Sequence, residues 1–277
     1  MLVHFNGRLV NRDEVRISPD DRGFLFADGV YEVVRAYRGR LFRAADHWRR
    51  LARSLGEVRI GVGNVDFQAI CESLLRENNL LAGDATVYLQ VTRGPAPRQH
   101  AFPDAGVAPT VYACATPFQP ATEKQSEGVR VILLPDIRWT RCDIKSLALL
   151  PNVLAAQQAK ERGADEALFV RAGCVTEGSR TNFAAVLDSK FVTHPQNNLV
   201  LGGVTLNAVL DLCRKLGVPV SERPIKEAEL KSTSEMMIIG TTTEITPVIR
   251  VEDWQVGEGV PGPLTLKLQR AFREMVT

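Results

Sequence analysis

Hydrophobic and polar positions along the first third of the chain predict strands, then helices, then strands again. Residues 30–37 are rich in β-branched and aromatic side chains, which favours a strand, and the Arg-Gly pair that follows is typical of a hairpin turn. In segments 44–58 and 66–79, apolar residues recur at helical spacing. Residues 85–92 return to a strand pattern. This order predicts an α+β domain rather than a regular β-α alternation.

The rest of the chain is richer in strand patterns. Helices are predicted near residues 148–162, where Gly163 follows, and over 204–216 and 264–275. The predicted strands are 129–134, 166–170, 174–178, 183–187, 191–195, 218–224 and parts of 236–251. So many short strands indicate a barrel-like domain, although periodicity does not determine whether the sheet closes.

A polar, proline-containing stretch divides these two regions. At about 150 residues per domain, a chain of 277 residues predicts about two domains. The stretch between Phe118 and Glu127 separates two strand patterns and is typical of a linker. We therefore predict a small N-terminal domain over residues 1–118, a linker over 119–127 and a larger domain over 128–277.

Composition excludes several classes of function. With 34 basic and 32 acidic residues, the formal charge of +2 gives no broad attraction to nucleic acid or anionic lipid. No apolar run is long enough to span a bilayer, and the first residues lack the apolar core of a signal peptide, so we expect a cytoplasmic protein. The five cysteines and four histidines show neither C-x-x-C nor H-E-x-x-H spacing, which disfavours a disulfide framework and a metal site.

Lys145 is the first candidate for chemistry. The chain has only eight lysines, none of them before Lys124, and Lys145 is followed closely by Leu147, Leu149 and Leu150. Apolar neighbours can remove the charge of a lysine by desolvation, which would make its amine a nucleophile for Schiff-base chemistry. Local sequence alone favours the alternative, a lysine that extends to solvent at the start of a helix.

Two further patterns point to an anionic ligand. Gly202 and Gly203 precede a predicted helix, and backbone N–H groups at a helix N-terminus bind phosphate, with Thr205 adding a hydroxyl. The run 240–244, GTTTE, offers hydroxyls and amides at a strand end. Glu177, between strand patterns, could pair with a cationic nitrogen of a ligand. Each of these patterns also fits an ordinary polar turn.

A third group of residues could bind a carboxylate. Arg98 and His100 occupy alternate positions of an extended segment and therefore lie on one side of it, and Tyr31 could add a phenol. His47 and Arg50, three apart on a predicted helix, share a face and could contact an anion or only solvent. A basic surface loop remains the alternative for Arg98 and His100.

In combination, these residues resemble the class IV aminotransferases of fold type IV, which use pyridoxal phosphate, and most closely the bacterial D-amino-acid aminotransferase branch. The motifs that carry this resemblance extend over nearly the whole chain. They are RGFLFADGVYEVVRAYRGRLF, HWRRL, RGPAPRQHAFP, DIRWTRCDIKSLALLPNVLAAQQAKERGADEALFVRAGCVTEGSRTNF and THPQNNLVLGGVT. The resemblance implies a fold-type IV architecture and transfer of an amino group between a D-amino acid, such as D-alanine, and a 2-oxo acid, such as 2-oxoglutarate, with ping-pong kinetics.

The resemblance also implies a role for each candidate. Lys145 matches the lysine that carries the cofactor, and Glu177 matches the carboxylate that keeps the pyridine nitrogen protonated. The residues that match the phosphate-binding positions are Arg50, the backbone of Val204, Thr205, Thr241 and Thr242. The residues that match the group binding the substrate α-carboxylate are Tyr31, Arg98 and His100. In that family the arginine and histidine come from the neighbouring subunit, which implies a homodimer with shared sites.

Two residues depart from the family pattern. Gly240 replaces a hydroxyl residue that often precedes the threonine pair, and Arg180 replaces a small residue in the EGSxxN run. We expect these two departures to affect substrate range and cofactor affinity rather than the type of reaction. The alternatives are a branched-chain L-amino-acid aminotransferase, an aminodeoxychorismate lyase and a non-catalytic binding protein. The Arg98-x-His100 pair favours the D-specific branch, and Lys145 together with Glu177 disfavours a non-catalytic protein.

Overall fold

The computed structural model describes residues 1–104 and 106–277, which form two compact units. The first unit comprises Met1–Gln119 and Ile144–Ala148, and the second comprises Pro120–Asp143 and Leu149–Thr277. The sequence assigned residues 144–148 to the second domain, whereas their contacts group them with the first unit. The domain boundaries derived from the sequence otherwise stay a prediction.

The first unit consists of one antiparallel sheet and short helices. Its elements are β1 (Leu2–Phe5), β2 (Arg8–Asn11), a 3-10 turn (Arg12–Glu14), α1 (Arg22–Phe26), β3 (Gly29–Tyr37), β4 (Arg40–Leu41), α2 (Ala44–Glu57), α3 (Phe67–Glu77), β5 (Ala85–Thr92) and β6 (Thr110–Pro117). The six strands are ordered β2-β1-β6-β5-β3-β4. The long neighbours β3 and β5 pair from Gly29 opposite Thr92 to Ala36 opposite Ala85.

One hydrophobic core fixes the two long helices of this unit on the sheet. Alternate residues of β5 are buried because successive side chains of a strand point to opposite faces. They share a core cluster with Leu51 and Leu55 of α2 and with Leu74 and Leu75 of α3. Asp66 begins α3 by accepting a hydrogen bond from the N–H of Ala69. The predicted order of strands, two helices and strands is therefore confirmed.

The second unit is built on a larger mixed sheet. Its elements are α4 (Thr122–Glu127), β7 (Val129–Pro135), α5 (Leu150–Glu161), β8 (Glu166–Arg171), β9 (Cys174–Gly178), β10 (Asn182–Leu187), β11 (Lys190–Thr193), α6 (Val204–Lys215), β12 (Val220–Glu222), β13 (Ile225–Lys226), a 3-10 turn (Glu227–Ser232), β14 (Glu235–Gly240), β15 (Glu244–Val251), β16 (Trp254–Gln255) and α7 (Pro263–Val276). The strand order is β12-β11-β10-β14-β15-β7-β8-β9-β13, and β16 pairs with β15.

This sheet combines parallel and antiparallel pairs. Strand β7 runs parallel to both β15 and β8, while β10 and β14 are antiparallel. The α+β class and the strand-rich second unit are confirmed. Several predicted elements differ in their limits by one or two residues, for example α5, which begins at Leu150 rather than near 148, and the predicted linker contains α4. In the described parts of the chain, no helix has the length and apolar character that crossing a membrane requires.

Candidate functional site

Lys145 lies in the first unit, on a short extended segment that pairs with the start of β3. Its carbonyl accepts a hydrogen bond from the N–H of Tyr31 at 3.0 Å, and Leu147 N–H donates to the carbonyl of Gly29 at 3.0 Å. Its own N–H donates to Ser54 Oγ at 3.2 Å. The Nζ atom lies 4.3 Å from the centroid of the Tyr31 ring. This half-buried lysine is thus held beside Tyr31 rather than at the start of a helix.

Arg50 is not directed to solvent but forms an ion pair with Glu32 of β3. Arg50 Nε donates to Glu32 Oε1 and Nη2 donates to Glu32 Oε2, each at 2.8 Å. Glu32 Oε2 also lies 2.7 Å from His47 Nδ1. Because His47 and Arg50 are three residues apart on α2, one face of that helix presents both side chains to the same carboxylate.

The environment of this buried group determines its charge. Burial would raise the pKa of Glu32, but the charge and hydrogen bonds of Arg50 and the hydrogen bond of His47 outweigh it and lower the pKa to about 2. Burial lowers the pKa of His47, although Glu32 opposes that change. Glu32 is therefore an anion at neutral pH that balances the charge of Arg50.

Arg98 and His100 lie on an exposed segment after β5. The guanidinium carbon of Arg98 is 5.1 Å from the centroid of the Phe26 ring, and the His100 ring is 5.6 Å from the same ring. The two predicted carboxylate-binding side chains therefore meet at Phe26 of α1. The ring of Tyr31 instead lies 5.9 Å from the ring of Tyr88.

In the second unit, Glu177 is a buried carboxylate with both oxygens engaged. It is 5% exposed. Arg138 Nη1 donates to its Oε1 at 2.5 Å, while Asn182 Nδ2 at 3.1 Å and Leu201 N–H at 3.0 Å donate to its Oε2. These donors fix the orientation of the carboxylate and compensate its charge. Glu177 is thus not the solvated turn residue that local sequence also allowed.

Arg138 connects Glu177 to a wider network. Two of its nitrogens donate to Asp136 at 2.9 Å, and its guanidinium carbon lies 4.5 Å from the centroid of the Phe169 ring. Burial would raise the pKa of Asp136, but the hydrogen bonds and charge of Arg138 lower it instead. Arg138 was not predicted from the sequence, where its spacing of two from Asp136 is its one local signal.

The N-terminus of α6 is connected to Glu177 within the same unit. Asn182 Nδ2 donates both to Glu177 and to the carbonyl of Leu201, at 2.9 Å for the latter. A Cβ atom at Gly203 would lie 1.8 Å from Asn182 Oδ1, so only glycine allows this approach. Val204 and Thr205, the first residues of α6, are buried.

The loop between β14 and β15 carries Thr241 and Thr242. Thr241 is partly buried and Thr242 is exposed. A Cβ atom at Gly240 would lie 3.0 Å from Thr243 Oγ1, a buried hydroxyl that has no hydrogen-bond partner. The other departure, Arg180, is exposed and lies 3.7 Å from Glu166. That carboxylate also accepts a hydrogen bond from Thr181 at 3.1 Å.

Each unit therefore assembles part of the predicted set. The first unit holds Lys145 beside Tyr31 and places Arg50 against Glu32, while Arg98 and His100 share contacts with Phe26. In the second unit, Glu177 is connected through Asn182 to the start of α6. Glu32 and Asn182 contact two of these candidates, Arg50 and Glu177, and were not predicted from the sequence. Their contacts depend on pairing between distant segments, which no local pattern reveals.

Comparisons with known proteins agree on one family. The sequence model of the family described as amino-transferase class IV matches residues 29–251. A D-alanine aminotransferase of Bacillus licheniformis is 41% identical over 278 residues, which covers 100% of this chain and 97% of that protein.

Solved structures with similar folds are also aminotransferases. The branched-chain amino acid aminotransferase of Escherichia coli has a TM-score of 0.90 and 26% identity, covering 100% of this chain and 94% of that one. The branched-chain amino acid aminotransferase of Thermobaculum terrenum, solved in its PLP form, has a TM-score of 0.85 and 26% identity, covering 99% and 93%. The similarity therefore extends over nearly the full length of each protein.

Proposed function

This chain belongs to the class IV aminotransferase family, and from that premise we propose that it is a pyridoxal-phosphate-dependent D-amino-acid aminotransferase. The family and the fold-type IV architecture expected from the sequence are confirmed. The substrates that we propose are a D-amino acid such as D-alanine and a 2-oxo acid such as 2-oxoglutarate. The observation that carries the proposal is the placement of Lys145, the sole lysine of the first unit, beside the ring of Tyr31.

The chemistry of the available donors fits pyridoxal phosphate, which presents an aldehyde, a pyridine nitrogen and a phosphate. Lys145 offers the amine that would bind the aldehyde carbon. Glu177 offers a buried carboxylate for the protonated pyridine nitrogen. The residues that would bind the phosphate are Arg50, the backbone of Val204, Thr205, Thr241 and Thr242. When bound, the cofactor delocalises the electron pair that is left at the substrate Cα after its proton is removed.

Lys145 has two tasks in this mechanism. Its amine would hold the cofactor and would be released when the amino group of a substrate takes its place. The Nζ atom would then act as the base that accepts the proton of the substrate Cα and as the acid that gives it back. The backbone hydrogen bonds at and beside Lys145 fix the main chain from which its side chain extends.

Glu177 and Arg50 hold the ends of the cofactor in this proposal. Glu177 would keep a proton on the pyridine nitrogen, and Arg138, Asn182 and the Leu201 N–H prevent the carboxylate from rotating away. Arg50 would bring a guanidinium to the phosphate while Glu32 fixes its plane. The N-terminus of α6 supplies oriented N–H groups, which favour a dianionic phosphate.

Substrate recognition would depend on Tyr31, Arg98 and His100. A carboxylate accepts two parallel hydrogen bonds from a guanidinium, so these side chains would fix one end of the substrate and thereby its handedness. We propose that Arg98 and His100 act in the neighbouring subunit of a homodimer, which accords with their exposure in the single chain. The cytoplasmic location expected from the sequence also remains a proposal.

A donor and acceptor panel tests the function. The purified protein, loaded with pyridoxal phosphate, is incubated with D-alanine, L-alanine, D-leucine or L-leucine and with 2-oxoglutarate as acceptor, and pyruvate serves as a second acceptor for the two leucine enantiomers. We expect transfer from D-amino acids and parallel lines in double-reciprocal plots, because the first product leaves before the second substrate binds. Turnover of L-leucine in preference to every D-amino acid would refute the D-specific assignment.

The second candidate is a branched-chain L-amino-acid aminotransferase. The observation in its favour is the TM-score of 0.90 to the Escherichia coli branched-chain enzyme. The higher identity to a D-alanine aminotransferase, 41% against 26%, and the Arg98-x-His100 pair favour the D-specific proposal. The same panel distinguishes the two, because they predict opposite handedness of the donor.

A further inference from the structure

Asp28, between α1 and β3, is a largely but not fully buried carboxylate shared by two arginines. Arg22 Nε donates to its Oδ2 at 2.8 Å, and Arg93 donates from Nε to Oδ2 at 2.7 Å and from Nη2 to Oδ1 at 2.9 Å. The three side chains are 12%, 4% and 9% exposed for Asp28, Arg22 and Arg93. Burial would raise the pKa of Asp28, but Arg93 and Arg22 lower it. We call these three residues the Asp28 anchor.

The Asp28 anchor extends to the segment that carries Arg98 and His100. Arg22 Nη1 donates to the carbonyl of Gln99 at 2.6 Å, and Arg22 Nη2 donates to the carbonyl of His100 at 3.4 Å. One guanidinium therefore connects Asp28 with two successive peptide groups of this segment. These bonds involve the backbone, so they act on the direction of both neighbouring side chains.

Arg93 contacts the segment that carries Arg98 and His100 at Phe102, two residues after His100. Its guanidinium carbon lies 3.6 Å from the centroid of the Phe102 ring, while its nitrogens donate to the carbonyls of Val58 and Arg59 at 2.7 Å and 2.9 Å. Phe102 itself is 51% exposed, so this stacking is a contact at the surface rather than part of the core. Residues 98–102 are thus attached to the body of the first unit at two points.

The ring of Phe26 contacts side chains both of the Asp28 anchor and of the segment that carries Arg98 and His100. The guanidinium carbon of Arg22 lies 4.8 Å from the centroid of its ring, and the corresponding distance for Arg98 is 5.1 Å. His100 contacts the same ring. Phe26 therefore contacts both the buried Arg22, which holds the backbone, and the exposed Arg98 and His100.

We propose that the Asp28 anchor is a positioning device for substrate recognition: it holds the segment 98–102 so that Arg98 and His100 present their side chains to the substrate α-carboxylate. This proposal rests on the D-amino-acid aminotransferase function proposed above. Side chains on an exposed loop lose conformational entropy when they bind, and a preformed loop lowers that cost. The anchor acts through Arg98 and His100 and does not itself contact substrate.

A merely structural role predicts a different pattern of effects. If the Asp28 anchor served only folding, loss of Arg22 would lower stability and leave the affinity for substrate unchanged. If it positions Arg98, loss of Arg22 raises KM for an amino acid, and this effect requires Arg98 to be present. Cofactor affinity should be unchanged in either case, because the proposed phosphate-binding residues are others.

The test is a double-mutant cycle with Arg22→Met and Arg98→Ala in the holoenzyme. Methionine approximates the length of arginine without its donors, and Asp28 keeps its pair with Arg93. We expect Arg22→Met to raise KM for D-alanine about tenfold, with kcat within about twofold, since charged donors to two carbonyls are lost. In the Arg98→Ala background the same change should alter KM by less than about twofold.

Arg35→Met serves as the matched control. Arg35 is also buried in the first unit, pairs with Asp84 at 2.6 Å and stacks on Phe118. Its loss should lower the melting temperature without changing KM. Direct titration with pyridoxal phosphate, followed by absorbance, should give the same dissociation constant for Arg22→Met and wild type.

Each outcome has a definite meaning. An Arg22→Met effect of equal size with and without Arg98, or a rise in KM matched by Arg35→Met, would overturn the positioning role. If Arg22→Met does not fold, Arg22→Lys is used, because a lysine keeps the charge near Asp28 but lacks the planar fork that reaches both carbonyls. An unchanged KM in Arg22→Lys would then overturn the proposal. A wild type without activity on D-amino acids would refute the proposed function instead.

Discussion

Arg50 donates two parallel hydrogen bonds to Glu32, each 2.8 Å long, across the contact between α2 and β3. One edge of the Arg50 guanidinium is therefore hydrogen-bonded to a buried carboxylate. These two bonds fix the plane of the guanidinium before any ligand binds. His47, on the same face of α2, completes the group at 2.7 Å from Glu32. An arginine selected from the sequence for phosphate binding is thus also part of a largely buried ion pair of the first unit.

The first prediction concerns acid stability. The pKa of Glu32 is lowered from 4.5 to about 2, so its contribution to stability is present above pH 4.5 and is lost as the pH falls toward 2. We expect Glu32→Gln to lower the free energy of unfolding at pH 7 by on the order of 3 kcal/mol. Urea unfolding at pH 7, 5, 4 and 3 should show that the difference from wild type shrinks below pH 4.5.

Glu72→Gln is the control for this measurement, because Glu72 is an exposed carboxylate of the same unit. It should change the free energy of unfolding little at any pH. A constant difference between Glu32→Gln and wild type across the whole range would contradict the assignment of the acid-labile contribution to Glu32.

The second prediction concerns the phosphate. Lysine keeps the charge of Arg50 but has no planar fork, so Arg50→Lys cannot hold Glu32 with two parallel bonds and also face a phosphate in one fixed direction. We expect the dissociation constant for pyridoxal phosphate to rise about tenfold, equivalent to roughly 1.4 kcal/mol. Arg49→Lys, at a neighbouring position that is 76% exposed, should bind the cofactor as wild type does. Equal affinities for all three proteins would remove Arg50 from the phosphate site.

Local patterns in the sequence predicted those elements whose residues interact with near neighbours. Strand β3 was predicted over 30–37 and begins one residue earlier, and helix α6 was predicted from Val204 and begins there. The first hairpin, β1 and β2, was missed because four-residue strands carry too little periodicity to recognise. The grouping of residues 144–148 with the first unit shows no local pattern, since their hydrogen bonds with β3 join residues more than a hundred positions apart.

The residues of the candidate site also fall into those that could be selected from the sequence and those that could not. Lys145, Glu177 and Arg98 could be selected because the residue type itself carries the chemistry. Their supporting partners could not, because Arg138 meets Glu177 across 39 positions and Arg22 meets Gln99 across 77. Such partners show no local signal beyond being charged, and only the folded chain brings them into contact.

The third prediction concerns Lys145. Lys145→Ala should abolish transamination while the melting temperature stays within a few degrees of wild type, because its backbone hydrogen bonds do not need the side chain. The wild type should bind the cofactor covalently, and borohydride reduction followed by peptide mapping should label Lys145 alone. Lys160→Ala, at an exposed position, is the control and should keep full activity. A label on another lysine would show that the assignment is wrong.

The fourth prediction concerns Glu177. The amide of Glu177→Gln places an N–H₂ group opposite either Arg138 or the two N–H donors of Asn182 and Leu201, and it cannot keep the pyridine nitrogen protonated. We expect slower removal of the Cα proton, by about a hundredfold or more, together with a lower melting temperature. Stopped-flow absorbance with deuterated D-alanine should show a kinetic isotope effect larger than in wild type.

Glu235→Gln is the control that distinguishes the two expected effects of Glu177→Gln, slower proton removal and a lower melting temperature. Glu235 is also a buried carboxylate of the second unit, and it accepts hydrogen bonds from the N–H groups of Leu264 and Thr265 at the start of α7. Its neutralisation should lower the melting temperature without changing the isotope effect. If Glu235→Gln slowed proton removal as much as Glu177→Gln, the loss would reflect general destabilisation rather than the pyridine nitrogen.

The fifth prediction concerns the substrate carboxylate. Arg98 is exposed and contacts the ring of Phe26, so its loss removes no buried ion pair and should leave the melting temperature and the cofactor affinity unchanged. Loss of a charge-assisted hydrogen bond costs about 1.5–3 kcal/mol, which corresponds to roughly ten- to a hundredfold in kcat/KM for D-alanine. A carboxylate-free primary amine, if turned over by the wild type, should be affected by less than about twofold. Arg8→Ala, which changes an exposed arginine of β2, should leave kcat/KM unchanged.

The substitution of Arg98 should affect handedness as well. Because the anchored carboxylate determines which face of Cα is presented to Lys145, Arg98→Ala should also narrow the preference for D-alanine over L-alanine. Unaltered D-alanine kinetics would refute the D-specific role of Arg98 while leaving the aminotransferase family assignment intact, since that rests on the full-length match.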